Sequence, residues 1–291
     1  MSRDNIHTLY FSDLAEAAQF ARSTPRPEGA RDLSEQPEGY DWDMGLDLAD
    51  TIDHAEGTAF WDGVSSMMDT VDITDKLAAK ADLPAVQRDL VGGSVNVGAY
   101  LTGHPRHMRR RTPQPAVDKP VLTIGVSLGI AWMVKAEHRL NFGAALMSAV
   151  DQLERNGYRC EIIAYWRASG TNANAFKYWV NIEYLLKRSD QTWNPSALAF
   201  AIAHPAFQRR MTWRIAETQP QYHDSLRAAY CSNTNTKKYH ESCAGDFDVY
   251  FGNVGRNENN AISTPADAFQ YVTGTVNDQL ARARQVQEGA A

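Results

Sequence analysis

Hydrophobic positions between residues 121 and 166 follow a strand, helix, strand pattern. The run VLTIGV at 121–126 is apolar with few polar interruptions, which is typical of a parallel strand covered on both faces. The helix that follows has one apolar stripe at three- and four-residue spacing, and Asn156-Gly157 ends it. Alternating residues at 160–166 predict the second strand. Because crossovers of this kind are almost always right-handed, we expect a buried, right-handed β-α-β unit.

The pattern continues toward the C-terminus with one more long strand and two helices. Aromatic and β-branched residues at 178–188 predict a third strand. Only 11 residues separate it from Trp166, too few for a crossover helix, so we expect a hairpin and an antiparallel edge strand. Helices are predicted to begin at Asn194-Pro195 and Thr264-Pro265, each an N-cap residue followed by proline. Residues 248–252 predict a last short strand.

The N-terminal part of the chain has weaker patterns. Ser12 is an N-cap candidate for a short helix with small apolar residues. Proline, glycine and charged residues dominate 22–39, which indicates a linker. These changes in composition divide the chain into three predicted regions: a short helix with a flexible linker at 1–39, an acidic and then basic region at 40–119, and an α/β domain at 120–291.

The composition is that of a globular chain, with 291 residues of which 43% are hydrophobic. No apolar run approaches the roughly 18–20 residues that a membrane span needs. The start of the chain lacks the basic and apolar segments of a signal peptide. Three cysteines are an odd number, which argues against a disulfide framework. We therefore expect a cytoplasmic protein with reduced thiols and no membrane contact.

Aspartates are concentrated in the segment 41–53. Asp43, Asp47, Asp50 and His54 are spaced to share one side of a helix, which would suit a hard cation such as Mg²⁺ or Mn²⁺. The alternative is a solvated acidic face, because like charges at this spacing repel one another and usually face water. The sequence favours the solvated face. A divalent cation is the one cofactor that these residues suggest.

The strongest cationic cluster in the chain follows shortly after. It consists of Arg106, His107, Arg109, Arg110 and Arg111. Arginine forks match phosphate oxygens, so the cluster is a candidate for binding nucleic acid. The alternative is a basic linker that pairs with the acidic segment before it. The net charge of −6 argues against extensive coating of nucleic acid, so a protein partner is the favoured interpretation.

Two further groups carry weaker signals. The first is a set of arginines on about one side of a predicted helix, typical of a solvated amphipathic surface: Arg209, Arg210 and Arg214. The second is a set of zinc-type ligands whose spacing matches no compact zinc module: Cys231, His240 and Cys243.

The order of the predicted elements resembles the von Willebrand factor A-like variant of the doubly wound α/β fold. Residues 90–108 and 121–217 also resemble an uncharacterised protein family of tailed phages and mobile elements. The motifs that carry this resemblance are GGSVNVGAYLTGHPRHM, GAALMSAVDQLERNGYRCEI and ALAFAIAHPAFQRRMTW. The resemblance implies a phage or prophage origin. The metal-binding Asp-x-Ser-x-Ser of active A-domains corresponds here to Gly125–Gly129, where only Ser127 matches.

Catalytic motifs are absent from the sequence. There is no phosphate loop of the Gly-x-x-x-x-Gly-Lys type, no Gly-x-Gly-x-x-Gly after the first strand, and no identifiable base for Ser127. Open α/β sheets bind ligands at the carboxyl ends of their strands. The residues expected at that edge are Ser127, Arg167, Ser169 and Asn253. Gly125 and Gly129 mark positions of close backbone approach.

These patterns predict a phage-encoded, non-enzymatic binding or assembly protein that acts through protein–protein contacts or self-assembly, with nucleic acid as a further possible partner. The expected location is the host cytoplasm, or the virion if the protein is structural. The alternative is a metal-dependent phosphate-chemistry enzyme of the nuclease type, which would use Asp43, Asp47 and Asp50 beside the basic cluster.

Overall fold

Eight strands and seven α-helices lie in the part of the chain that the computed structural model describes. The described residues are 6–28, 32–35, 43–63, 86–89, 94–95, 100, 105–106, 108–111, 120–129, 131, 134–171, 177–191, 195–219, 246–254 and 256–289. The strands are β1 (Ile6–Phe11), β2 (Val86–Asp89), β3 (Ser94–Val95), β4 (Met108–Arg111), β5 (Val121–Ser127), β6 (Arg159–Thr171), β7 (Lys177–Lys187) and β8 (Val249–Phe251). The helices are α1 (Leu14–Ser23), α2 (Leu48–Glu56), α3 (Ala136–Arg155), α4 (Pro195–Ala203), a π-helix (Phe207–Thr212), α5 (Trp213–Glu217), α6 (Arg256–Ala261) and α7 (Pro265–Gly289).

The main sheet has five strands in the order β1-β7-β6-β5-β8. β5 and β6 pair in parallel on either side of α3, which confirms the predicted β-α-β unit. Gly157 ends the unit's helix in the left-handed conformation, with φ of 99°. β6 and β7 form the predicted antiparallel hairpin, although residues 167–171 continue the ladder instead of forming a loop. β8 pairs in parallel with the other side of β5.

The sequence predicted that the antiparallel strand β7 lies at the sheet edge. This prediction was wrong, because β1 lies outside it. β1 pairs with it in parallel, from Ile6 opposite Trp179 to Phe11 opposite Tyr184. The pattern of β1 gave no clear signal because an outer strand is only partly buried, and pairing with a strand far along the chain stabilises it. The predicted domain boundaries stay a prediction, but a strand from the region 1–39 completes the sheet of the region 120–291.

One face of the main sheet carries most of the core. Cross-strand pairing places Val126, Ala164, Tyr184 and Phe251 on this face. Each of these side chains is buried. Because side chains alternate between the two faces of a strand, the row that contains Ser127 and Tyr165 lies on the opposite face.

The described helices cover that apolar face. Tyr184 packs edge to face on Phe207 of the π-helix, with 5.2 Å between ring centroids. On the other side of the sheet's centre, Phe251 packs on Phe142 of α3 at 5.7 Å, and Phe142 contacts Tyr271 of α7 at 6.4 Å. A doubly wound fold has helices on both faces. The described helices therefore form one layer, and the expected doubly wound arrangement is not found in this part of the chain.

The arginines predicted to be solvated are instead mostly covered by N-terminal segments. Arg209 is 2% exposed and Arg210 is 4% exposed. Arg210 pairs with the carboxylate of Asp43 and donates to the carbonyl oxygen of Ser34 at 2.9 Å. Arg214, which is only partly buried, donates to the Thr24 carbonyl at 2.8 Å. The solvated-helix prediction was wrong because helical spacing cannot show that a distant part of the chain covers the same face.

The helix beginnings follow local chemistry, with one correction. Thr264 precedes α7 as predicted, and its hydroxyl accepts a hydrogen bond from the amide of Asp267 at 3.2 Å. For α1 the N-cap is Asp13, which accepts from the amide of Glu16 at 2.8 Å. Ser12, the predicted cap, donates its hydroxyl to the carboxylate of Glu16 at 2.8 Å. An N-cap side chain accepts from the amide two or three residues later, and Asp13 lies three residues before Glu16.

Candidate functional site

A row of polar and aromatic side chains crosses the sheet face that the described helices leave uncovered. Cross-strand pairing places Tyr10 of β1 beside Glu183 of β7, Glu183 beside Tyr165 of β6, and Tyr165 beside Ser127 of β5. We call Tyr10, Glu183, Tyr165 and Ser127 the polar row. It joins one edge of the sheet to the carboxyl end of β5, where the sequence predicted a crevice.

Ser127 and Asn253 meet at this end of the sheet, as predicted. The Ser127 hydroxyl donates to the amide oxygen of Asn253 and accepts from the amide of Gly129 at 3.1 Å. A Cβ atom at Gly129 would lie 2.4 Å from the Asn253 Oδ1, so the close approach at Gly129 is made by a side chain, whereas the sequence had predicted an approach of the backbone. Ser127 and Asn253 thus hold the ends of β5 and β8 together.

Tyr165 is the centre of the polar row, and the sequence analysis did not select it. Its ring stacks on Tyr250 at 5.7 Å and on Phe247 at 6.1 Å, and its hydroxyl donates to the Phe251 carbonyl at 3.2 Å. Burial, and then the neighbouring Tyr250, raises the pKa of Tyr165. A Cβ atom at Gly125 would lie 2.5 Å from Phe247, so the group that packs closely on Gly125 is this ring. Only the pairing of distant strands reveals the aromatic stack.

Arg167 lies beside the stack, within the same face. Its guanidinium lies 4.8 Å from the centre of the Tyr165 ring, and its Nε donates to Asn181 Oδ1 at 2.7 Å. Its Nη2 lies 3.5 Å from a carboxylate oxygen of Glu183. Ser169 lies farther along β6, opposite Trp179 of β7. Ser127, Arg167 and Asn253 therefore lie near one another. Tyr165 pairs with Ser127 across the strands and contacts Arg167, and Ser127 bonds to Asn253.

The Ser127 hydroxyl has no general base beside it among the described residues that surround it. The partner of the Ser127 hydroxyl is an amide, which cannot accept a proton as a general base. Two of the described histidines bond to other groups: His138 Nδ1 lies 2.7 Å from the Asn259 side chain, and His204 Nδ1 accepts from the Ala206 amide at 3.2 Å. Burial lowers the pKa of His204 to about 3.

The outer end of the polar row is exposed and acidic. Tyr10 is 50% exposed. Burial and then the nearby carboxylates of Glu161, Glu183 and Glu16 raise its pKa, while Arg188 opposes them. We call Tyr10 and these three glutamates the acidic patch. Tyr10 lies on β1, the last strand on that side of the described sheet, and the glutamates come from α1, β6 and β7.

A second buried feature lies at the carboxyl end of β5, on the helix side. Arg139 of α3 is 1% exposed, and its Nη1 lies 3.5 Å from the carbonyl oxygen of Ser127. Its guanidinium lies 5.4 Å from the centre of the Phe142 ring. Burial, followed by the neighbouring charge of Arg209, lowers the pKa of Arg139 to about 9. The sequence analysis missed Arg139 because a lone arginine in an amphipathic helix usually faces water.

The predicted acidic helix face is not formed. Asp43 lies before α2 and pairs with Arg210, whereas Asp47 is the N-cap of α2 and accepts from the amide of Asp50 at 2.8 Å. Among the described residues no group of three or more metal-ligating side chains comes together. The proposed ligands Asp43, Asp47 and Asp50 therefore do not share one face of a helix.

The predicted basic cluster lies partly in a strand. Arg109, Arg110 and Arg111 belong to β4, which is the middle strand of a three-stranded antiparallel sheet in the order β2-β4-β3. Arg106 is exposed. His107 lies outside the described residues, as do the predicted zinc-type ligands Cys231, His240 and Cys243.

The comparisons with known proteins place the chain in a family. The model of DUF7192, a domain of unknown function, matches residues 2–280. The chain belongs to the DUF7192 family. No curated protein and no solved structure matches it. Membership in DUF7192 confirms the expectation that the chain belongs to a family of unknown function. No helix in the described part of this DUF7192 chain is long and apolar enough to cross a membrane.

Proposed function

We propose that this DUF7192 protein is a phage-encoded, non-enzymatic assembly protein that acts through protein–protein contacts, in the host cytoplasm or in the virion. The observation that carries the proposal is the acidic patch, which surrounds Tyr10 of the outer strand β1. A half-exposed tyrosine within a polar rim is typical of the residues that anchor protein interfaces. The DUF7192 match fits this proposal without specifying a partner.

The outer edge of β1 supports a contact with another protein. An outer strand presents backbone N–H and C=O groups that a second chain can pair with. Natural proteins often block such edges with proline or lysine, and the sequence IHTLYF of β1 contains neither. His7 and Thr8 are exposed beside Tyr10, whereas Phe11 at the end of the strand is buried.

The charge of the patch indicates what kind of surface it binds. Three carboxylates lie near Tyr10, against the guanidinium of Arg188 and that of Arg167, which pairs with Glu183. Phosphate groups would be repelled there, whereas a basic protein segment would be attracted. This chain itself carries such a segment at Arg106 and Arg109–Arg111. We therefore propose that the acidic patch of one copy binds the basic segment of a second copy, which gives head-to-tail assembly.

Sedimentation velocity of the purified chain at increasing concentration, at low and at high salt, tests this proposal. We expect oligomers at low salt that dissociate as salt screens the charges. Glu161→Lys and the triple variant Arg109/Arg110/Arg111→Glu should each lose assembly, and a mixture of the two should regain it. Phe60→Ala removes another exposed aromatic side chain, 65% exposed, and should leave assembly unchanged.

Two results would contradict the proposal. One is a wild-type chain that stays monomeric at every concentration and salt condition. The other is assembly that persists unchanged in Glu161→Lys and in the arginine variant. Fluorescence anisotropy with labelled single- and double-stranded oligonucleotides completes the test. Salt-sensitive binding that Arg109/Arg110/Arg111→Ala abolishes, with no self-assembly, would assign the basic segment to nucleic acid instead.

A further inference from the structure

The carboxyl end of β5 and the start of α3 lie at the point of the main sheet where β6 is on one side of β5 and β8 is on the other. The chain leaves β5 through α3 to reach β6 on one side, while β8 pairs with β5 on the other side. In open α/β sheets such a point forms a crevice beyond the carboxyl ends of the strands, and ligands bind there. Backbone hydrogen bonds join the turns after β5 and β8, from Val254 N to the Gly129 carbonyl at 3.1 Å and from Ala131 N to the Val254 carbonyl at 3.1 Å.

The N-terminus of α3 points its backbone amides toward this position. α3 has 20 residues, and its N-cap residue Lys135 makes no side-chain hydrogen bond to the first turn. The amides of His138 and Arg139 donate to the Lys135 carbonyl, at 3.2 and 3.4 Å, so the amides in question are those of Ala136 and Glu137. Amides at the start of a long helix carry partial positive charge and need acceptors. Phosphate groups bind at such helix starts for this reason.

Arg139 adds an independent indication of an anion at this site. Its side chain is buried in the first turn of α3, and its Nε has no hydrogen-bond partner among the described residues. No described carboxylate forms an ion pair with it. Burying a guanidinium without a counter-charge is unfavourable, and the nearby positive charge of Arg209 adds to the cost. A bound anion would offset both effects.

We propose that the β5–α3 turn binds a phosphate group, held by the Arg139 guanidinium and by the first backbone amides of α3. The phosphate could be inorganic phosphate or the terminal group of a phosphomonoester, since both present the same oxygens. This site uses residues of the helix side and is independent of the proposed assembly surface, so either proposal can fail alone.

Thermal unfolding of the full chain in sodium phosphate, compared with sodium chloride at matched ionic strength, tests the site. A ligand that binds only the folded chain raises the melting temperature with its concentration, so we expect phosphate to stabilise more than chloride. Arg139→Met should lose this difference, because an interaction with a charged donor accounts for a change in affinity of about tenfold or more. Arg188→Met, at a side chain 54% exposed, is the matched control and should keep it.

A second measurement does not depend on a variant that folds. Amide chemical shifts of the wild-type chain, followed by NMR as inorganic phosphate is added, should move at Gly129, Ala136 and Glu137. A nucleoside monophosphate that moves the same amides at lower concentration would identify a phosphomonoester as the ligand. Equal stabilisation by phosphate and chloride, or shifts confined to other residues, would overturn the proposal. So would a phosphate effect that Arg139→Met retains.

Discussion

The two faces of the main sheet are stabilised by different kinds of interaction. On the helix side, buried aromatic and aliphatic residues of the strands pack against one layer of helices. On the opposite side, the polar row joins stacked rings with hydrogen-bonded pairs such as Arg167 and Asn181. Packing of the helix face determines which strands can pair, because apolar burial is the main favourable term in folding. The polar row ends at an exposed tyrosine, so this face has the residues available for a partner.

The largest expected effect is on the helix face. Phe142→Ala should lower the free energy of unfolding by about 3–5 kcal/mol, because it leaves a cavity between α3 and β8. Phe142 is 1% exposed and packs on Phe251. Tyr10→Ala is the comparison on the other face and should cost less than about 1 kcal/mol, since half of that side chain already contacts water. Urea denaturation measures both values. Equal losses would contradict the difference between the faces.

A smaller effect is expected where Phe247 lies on Gly125. Gly125→Ala places a methyl group 2.5 Å from this ring, so we expect a loss of about 1–3 kcal/mol as the ring is displaced. The double variant Gly125→Ala/Phe247→Ala removes the clash and should cost less than the sum of the two single variants. Urea denaturation of the four chains measures the coupling. Additive losses would show that the ring does not constrain β5.

The helix side should also carry a pH dependence, through His204. The pKa of His204 in the folded chain is lowered from 6.5 to about 3, first by burial and then by His54. The unfolded chain therefore binds the proton more readily. Stability is full above pH 6.5 and falls as the pH decreases toward 3, by about 1.4 kcal/mol for each pH unit. His204→Asn keeps an acceptor for the Ala206 amide without titrating. Parallel pH profiles of the wild type and this variant would contradict the prediction.

The smallest expected loss of stability comes from removing a pair of hydrogen bonds near the polar row. Asp248 accepts from both the amide and the hydroxyl of Thr123 at 2.8 Å. Because Asp248 is exposed, water can replace it, and Asp248→Ala should cost about 1 kcal/mol. Asp246→Ala, at an exposed residue two positions earlier, should leave stability unchanged. Both are measured by thermal or urea unfolding. A loss near that of Phe142→Ala would mean that β8 depends on this pair.

The sequence by itself determined the elements whose signals are local. The β5-α3-β6 unit, the β6–β7 hairpin and the start of α7 follow from periodicity, from a short separation or from a capping residue. Glycine in a strand also signalled tight packing at Gly125 and Gly129, although the groups that approach are side chains and not the predicted backbone. The meeting of Ser127 and Asn253 followed from the rule for the ends of parallel strands.

Tertiary structure alone decided the features that join distant parts of the chain. β1 became the outer strand through pairing with β7, Arg210 of the π-helix was covered by Ser34 and Asp43, and Tyr165 became the centre of a stack with Phe247 and Tyr250. Periodicity within a segment shows which of its residues are buried together but not what buries them. In most cases the two partners are more than 80 residues apart in the sequence. Such a contact stabilises the chain only once both segments are folded.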